Sequence, residues 1–309
     1  MGKERNDFID RLQYVGLRLV SMTLHSWPVD ANLRAARFLG DLMWRFDSRH
    51  RERAMGNLRR SFPDMPDKTR EQMARRSMQQ LFMLFVEVLF TTKLLRIDTI
   101  AKYVELNNFS EALSLMMSKD QGVIMLTGHY GNWEVLGYAM ATLGFPSTSI
   151  ARPLDNPYVN DWLLGVRERQ GQRIIAKKGA TEEVTAVLAQ HGAVGFIADQ
   201  NAGPKGMFVD FFGRKASTYK SIGLLAMEYK VPVVIGYARR VGECFRFKMG
   251  VQDIIRPEDW ESEDDPLRYI TQRYTRAIED FVSADPGQYL WVHRRWKTRP
   301  KGETAESFD

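Results

Sequence analysis

His129 and Glu134 stand five residues apart in the stretch Gly128-His129-Tyr130-Gly131-Asn132-Trp133-Glu134, directly after the apolar run 123–127. Gly128 and Gly131 permit a tight turn, and Asn132 can cap a new helix. Glu134 then falls in the first helical turn while His129 stays on the loop. Two readings follow. In the structural one, Glu134 complements the helix dipole, worth about 0.3–1 kcal/mol, and His129 is a hydrogen-bonded turn residue. In the catalytic one, Glu134 is held ionised by the helix N-terminus and orients one imidazole nitrogen while the other nitrogen takes a proton. His129 is then a general base acting on a substrate hydroxyl. The chain has no Gly-x-Ser-x-Gly elbow, and Cys244 lies in a strand-like run, so direct transfer without an acyl-enzyme is expected. A metal site is not, because a lone His and a Glu without a neighbouring His or Cys do not fill a zinc shell. His25 and Asp30 repeat the spacing, but inside one helix that offset turns about 140° and points the side chains apart.

These residues need a scaffold, and the sequence supplies one in two textures. From residue 1 to about 119 the pattern is helical, with breaks at Trp27-Pro28, Phe62-Pro63 and Met65-Pro66 and with Asp67 as a cap for the helix that follows. Beyond residue 121, short branched apolar runs at 123–127, 147–151, 173–176, 194–198, 231–238 and 245–251 alternate with helical segments at 133–143, 156–170, 181–190, 218–229 and 266–283. That alternation predicts an α/β fold, a mixed central sheet flanked by helices under an N-terminal all-helical layer. The expected organisation is an amphipathic helix in 1–30, a helical layer in 31–118, the catalytic core in 119–301 and a tail in 302–309. Functional loops in such sheets lie at the carboxyl ends of strands. Two exits carry titratable groups: 123–127 leads into His129, and 194–198 leads into Asp199-Gln200-Asn201.

The 309 residues are 44% hydrophobic and 27% charged, which excludes a disordered chain and permits a sizeable core. One cysteine excludes an intramolecular disulfide and a cysteine-rich zinc site. A net charge of +6 leans toward an anionic partner, whether nucleic acid, anionic lipid or an acidic carrier protein. No window of uninterrupted apolar residues is long enough to predict a spanning helix. Residues 12–29 combine Leu12, Val15, Leu19 and Met22 with Arg18 and Trp27, and Arg11 directly precedes them, the make-up of either a core helix or an interfacial one. Residues 81–90 read LFMLFVEVLF, apolar around the whole helix except at Glu87, and are either core or lipid-dipping.

The Gly-His-Tyr-Gly-Asn-Trp-Glu stretch resembles the H-x4-E motif of the late, or secondary, lipid A acyltransferases, the lauroyl and myristoyl transferases. The likeness extends to Arg53, Asn57, Phe62 and Pro63; to Arg167, Arg169 and Gly171; to Asp199-Gln200; to Phe211-Phe212-Gly213 with Ala216 and Thr218; and to Trp291 through Pro300. Six ordered matches over most of the chain are specific. The resemblance implies a glycerolipid-acyltransferase-like core that moves a fatty acyl chain from acyl carrier protein, or from acyl-CoA, to a hydroxyl of a lipid A precursor. It further implies work at the cytoplasmic face of the inner membrane with peripheral or monotopic attachment through a membrane-associating helix in 1–30, no cofactor and no nucleic-acid partner. His129 would deprotonate the acceptor with Glu134 orienting it. Arg167, Arg169 or backbone amides near Gly131 and Asn132 would meet the oxyanion, and Asp199 and Gln200 would hold an arginine or the sugar. Met116, Trp133, Phe211, Phe212 and Trp296 are candidates to line the acyl channel. The rivals are an acyltransferase on another glycolipid, glycerolipid or ornithine lipid, a thioesterase using the same base on water, and a non-catalytic membrane-binding protein.

Overall fold

Proline and turn residues divide the N-terminal half into helices. In the computed structural model, which describes residues 6–151, 153–176 and 179–303, these are α1 (Asp7–His25), α2 (Val29–Phe46), α3 (Ser48–Ser61) and α4 (Asp67–Leu94). The breaks at Pro28 and at Pro63–Pro66 fall where the sequence puts them. Pro66 is itself the N-cap of α4, and Asp67 sits in its first turn rather than at the cap. One further break, at Asp47, separates α2 from α3; the Asp47 carboxylate caps α3 by accepting from the His50 amide at 3.1 Å. Because α1 ends at His25, Asp30 belongs to the next helix, and its carboxylate accepts from the Phe245 amide.

The helical pattern does not run unbroken to residue 119. Strand β1 (Val104–Asn107) interrupts it before α5 (Ser110–Ser118), so the sheet begins inside the span assigned to the helical layer. Its sequence, VELN, has no apolar run; it becomes a strand by parallel pairing with a distant partner. Then follow β2 (Val123–Thr127), α6 (Trp133–Thr142), β3 (Thr148–Ala151), α7 (Pro157–Glu168), β4 (Arg173–Ala176), α8 (Ala180–Ala189) and β5 (Ala193–Ile197). The chain continues through β6 (Met207–Phe211), β7 (Arg214–Thr218), α9 (Ser221–Tyr229), β8 (Val233–Arg240), β9 (Phe247–Ile255), α10 (Pro257–Trp260) and α11 (Pro266–Ala284). The β6–β7 hairpin is absent from the sequence-based pattern. Its two-residue turn, Phe212-Gly213, has positive φ at both positions, a conformation that Phe-Gly advertises less clearly than Asn-Gly does.

The seven-stranded sheet has the order β1-β9-β8-β2-β5-β3-β4. All neighbouring pairs are parallel except β8 with β9, so the sheet is mixed. One face is sealed by Ile222 and Ala226 of α9, Ile270, Tyr274 and Ile278 of α11, and Val184 of α8. The other is covered by α6 and α4, with Val135, Ala139, Met83 and Phe90 in the contact. Residues 81–90 are thus mainly core, with Phe85 alone strongly outward at 60% exposure. Central β2 lies between β5 and β8, and the chain leaves toward opposite sides of it. That is the topological switch point where α/β sheets open a crevice at their strand ends.

Candidate active site

In the parallel β2–β5 pair, Thr127 lies opposite Ile197. Two residues beyond each partner, the chain delivers His129 and Asp199 to the same edge of the sheet. Asp199 is 1% exposed at its side chain, and its Oδ1 lies 2.7 Å from His129 Nδ1. The His129 backbone amide donates to its other oxygen at 2.9 Å. Burial by itself would raise the Asp199 carboxyl, but the neighbouring charge of His129, its ring and amide hydrogen bonds, and His293 outweigh it and hold the group well below the usual carboxylate range. A carboxylate bonded to Nδ1 fixes that nitrogen as the N–H of the neutral ring and leaves Nε2 as the proton acceptor.

Glu134 does not perform this task. Its two carboxylate oxygens are taken by Arg167 of α7 in a fork of 2.6 and 2.8 Å. Among the described residues no hydrogen bond or ion pair joins Glu134 to His129. The reason is local geometry. Asn132 caps α6 through Val135 at 3.0 Å, which places Glu134 in the first turn of the helix, turned toward Arg167 of α7, while the loop carries His129 toward Asp199 beyond β5.

The loop itself is tied down on all sides. Gly131 has φ +57°, and a Cβ there would lie 2.0 Å from the Ala238 carbonyl oxygen, so only glycine fits. The amides of Gly131 and Asn132 donate to Gln288 O at 3.0 Å and Ala238 O at 2.9 Å, and the His129 carbonyl accepts from Leu290 at 3.0 Å. These two amides, expected as oxyanion donors, are therefore already spent. The Asn132 side chain is not a substrate contact either: it is fully buried and donates to Glu87 Oε2 at 2.7 Å. Glu87 in turn is paired with Arg240 of β8, both side chains shielded from solvent.

Arg169 is exposed at the C-cap of α7, one residue past the helix that carries Arg167. Gln200 has an exposed side chain, and its carbonyl oxygen accepts from Arg295 at 3.3 Å. Asp199 holds neither an arginine nor open space for a sugar, because His129 occupies it.

A cavity of about 130 Å³ runs between the sheet and helices α5, α6 and α7. Small residues on the facing surfaces, Ser149, Gly195 and Gly236 on the sheet, Gly137 on α6 and Ala112 on α5, leave this space unfilled. A Cβ at Gly195 would come 2.8 Å from Ser149 Oγ, and one at Gly137 2.2 Å from Gln172 Nε2. Met116 and Trp133 line the cavity as expected, and Glu134 and Arg167 form part of its polar wall. Trp133 also meets the His129 ring edge-on at 4.7 Å, connecting the cavity to the base. Phe211, Phe212 and Trp296 do not line it; they pack in the core on the other side of the sheet.

The sequence reading missed His293. Its ring packs edge-on against His129 with centroids 4.4 Å apart. His129, Asp199 and His293 bring their donor atoms within 4.8 Å of one another, so the premise that His129 has no neighbouring histidine fails. The short contact among them is the His129–Asp199 hydrogen bond. The signal for His293 lay in the Trp-x-His-Arg-Arg part of the C-terminal signature, 164 residues away in sequence. Arg53 and Asn57 of α3 gain a role by the same route. Asn57 donates to the carbonyls of Trp291 at 2.9 Å and His293 at 3.2 Å, and Arg53 to that of Val292 at 3.4 Å.

Known proteins resemble the chain over most of its length. The family model described as "Bacterial lipid A biosynthesis acyltransferase" matches residues 7–298. The chain is 26% identical to a lipid A biosynthesis acyltransferase of Haemophilus influenzae, over 82% of this chain and 78% of the relative. It is 26% identical to the lipid A biosynthesis lauroyltransferase of Escherichia coli, over 85% and 84%. The same identity holds for the Escherichia coli lipid A biosynthesis myristoyltransferase, over 87% and 81%.

Proposed function

Because this chain belongs to the bacterial lipid A biosynthesis acyltransferase family, we propose that it moves a fatty acyl chain from an acyl carrier protein thioester to a hydroxyl of a lipid A precursor, with His129 as general base. The observation that carries this reading is the His129–Asp199 pair beside an apolar cavity that reaches Trp133. His129 Nε2 takes the acceptor's hydroxyl proton, and Asp199 stabilises the imidazolium that results. The hydroxyl oxygen attacks the thioester carbonyl carbon, the C–O bond forms, and collapse of the tetrahedral intermediate breaks the C–S bond. The departing thiolate recovers the proton from His129, and no enzyme residue is acylated.

Glu134 acts at one remove, by fixing Arg167. A forked arginine suits the phosphates of the acceptor, and Arg169, exposed at the same end of α7, adds positive charge there. The acyl chain lies in the cavity under α6. No helix among the described residues is long and apolar enough to cross a membrane. The amphipathic α1 presents Phe8, Leu12, Val15, Leu19 and Met22, all exposed and spaced four, three, four and three residues apart on one face. Phe38, Leu42 and Phe46 extend an exposed apolar stripe along α2. These stripes, with a net basic chain, support monotopic attachment to an anionic membrane surface, the inner membrane's cytoplasmic leaflet.

The test is mass spectrometry of lipids from cells lacking the protein and regaining it, joined to an assay of the purified enzyme with acyl carrier thioester and lipid A precursor. The expected result is a gain of one fatty acyl unit on lipid A with wild type and none with His129→Ala. An unchanged lipid A with a shifted glycerolipid or ornithine lipid moves the acceptor. Acyl release without any acceptor makes the protein a thioesterase, and full function of His129→Ala in cells, with no transfer by the purified wild-type protein, makes it a non-catalytic membrane binder.

A further inference from the structure

Attack on a thioester places a full negative charge on the carbonyl oxygen, and a transfer site of this kind needs a donor aimed at it. The obvious donors near His129 are engaged elsewhere. The Gly131 and Asn132 amides bond backbone carbonyls, and the Asn132 side chain bonds Glu87. Arg167 is forked onto Glu134.

His293 is a polar group at the base for which the mechanism has found no use. Of its two nitrogens, Nδ1 is sealed from solvent and has no hydrogen-bond partner. An orphaned buried N–H is rarer in folded proteins than an unpaired acceptor, so the ring proton belongs on Nε2. Its backbone is held in place by Asn57, whose amide bonds the carbonyls on either side of Val292, and by Ser77, whose hydroxyl receives the Trp291 amide at 3.1 Å. Two helices, α3 and α4, thus hold the backbone that sets this ring against His129.

We propose that His293 is a second catalytic residue, whose Nε2–H donates a hydrogen bond to the thioester carbonyl oxygen as the tetrahedral oxyanion forms. The inference rests on the reading of His129 as the base. Burial, together with the charge of His129, drives the His293 imidazolium form down to a pKa of about 4, against the opposing pull of Asp199. The ring is therefore neutral at neutral pH and does not compete with His129 for the acceptor's proton. A neutral imidazole can polarise a carbonyl in this way. During attack the C=O electron pair moves onto oxygen, where His293 meets it. On collapse the pair returns as the C–S bond breaks, and His293 keeps its proton throughout.

The experiment compares His293→Phe, which keeps a flat ring beside His129 but has no donor, with His293→Gln, which offers an amide N–H. Steady-state kinetics with lauroyl-acyl carrier protein and lipid A precursor should show kcat falling about 10²- to 10³-fold in H293F. KM for the thioester should change little, and H293Q should recover part of the loss. Activity of H293F within about threefold of wild type, or no recovery in H293Q, overturns the proposal. A second measurement is independent of whether H293F folds: the infrared C=O stretch of ¹³C-labelled lauroyl thioester bound to the non-reacting His129→Ala enzyme. It should lie below that of the free donor and return toward it in H129A/H293Q, whose longer, flexible amide is a poorer donor. An unshifted band in H129A overturns the proposal. If His129→Ala itself transfers acyl groups, the base reading has failed; if only H293F remains active, this inference alone has.

Discussion

Asp199 grips His129 through both ring and backbone, whereas Glu134 grips Arg167, and the two carboxylates should separate cleanly in kinetics. Asp199→Asn leaves the shape intact but favours the wrong imidazole tautomer, so kcat should drop by about 10²- to 10⁴-fold. Glu134→Gln loosens Arg167 and should act more on KM for the phosphorylated acceptor than on kcat. Equal kcat losses in the two variants would count against this division of labour. The same residues make the fold acid-sensitive. Asp199 is held below the ordinary carboxylate value, so its contribution is present above about pH 4 and is lost as pH falls through the folded-state value. His293, lowered from 6.5 to about 4 with His129 and Asp199 facing it, resists a proton that the unfolded chain accepts. Its effect therefore appears as stability lost between pH 6.5 and about 4, on the order of 3 kcal/mol, with no further change below. Urea midpoints measured across that window should fall less steeply in H293F than in wild type.

At the scale of elements, one ion pair inside the apolar helix α4 sets where α6 begins. Glu87 bonds Arg240 on β8 and the Asn132 side chain that caps α6, linking a helix, a strand and the catalytic loop. Removing one partner of a buried pair leaves a charge without compensation, so Glu87→Gln should cost about 3–5 kcal/mol in unfolding free energy. Replacing both Glu87 and Arg240 by leucine should recover much of that stability while leaving acyl transfer impaired, because the cap on α6 has still lost its support. A double variant as active as wild type would show that the network does not position the site. The amphipathic pattern of residues 12–29 and the greasy run 81–90 share the same choice in sequence, core or lipid, but end in different places. The first stays exposed on α1, and the second is buried around Glu87.

At the scale of the molecule, helix α1 presents an exposed apolar stripe on a protein of net charge +6. Leu12→Glu with Leu19→Glu removes two side chains whose burial in lipid is worth roughly 1.5–3 kcal/mol each. Co-sedimentation with anionic vesicles should be lost, while transfer to detergent-dispersed acceptor should continue. Retained vesicle binding would move the attachment site away from α1.

Six strand runs and five helices beyond residue 121 were readable because each carries its own periodicity or cap, and those signals are local. Strand β1 and the β6–β7 hairpin were not, since their residues become strands only by pairing with partners. The sequence also determined that His129 and Asp199 would each emerge just past a strand, on turns built by glycine or polar residues. Which carboxylate would meet the imidazole was decided only by the tertiary structure. Strand order is set by how helices pack across the sheet, and it is the in-register placement of β5 beside β2 that puts Asp199 opposite His129. The same packing turns Glu134 toward α7 and folds the C-terminal segment back, so that a histidine remote in sequence ends against the base.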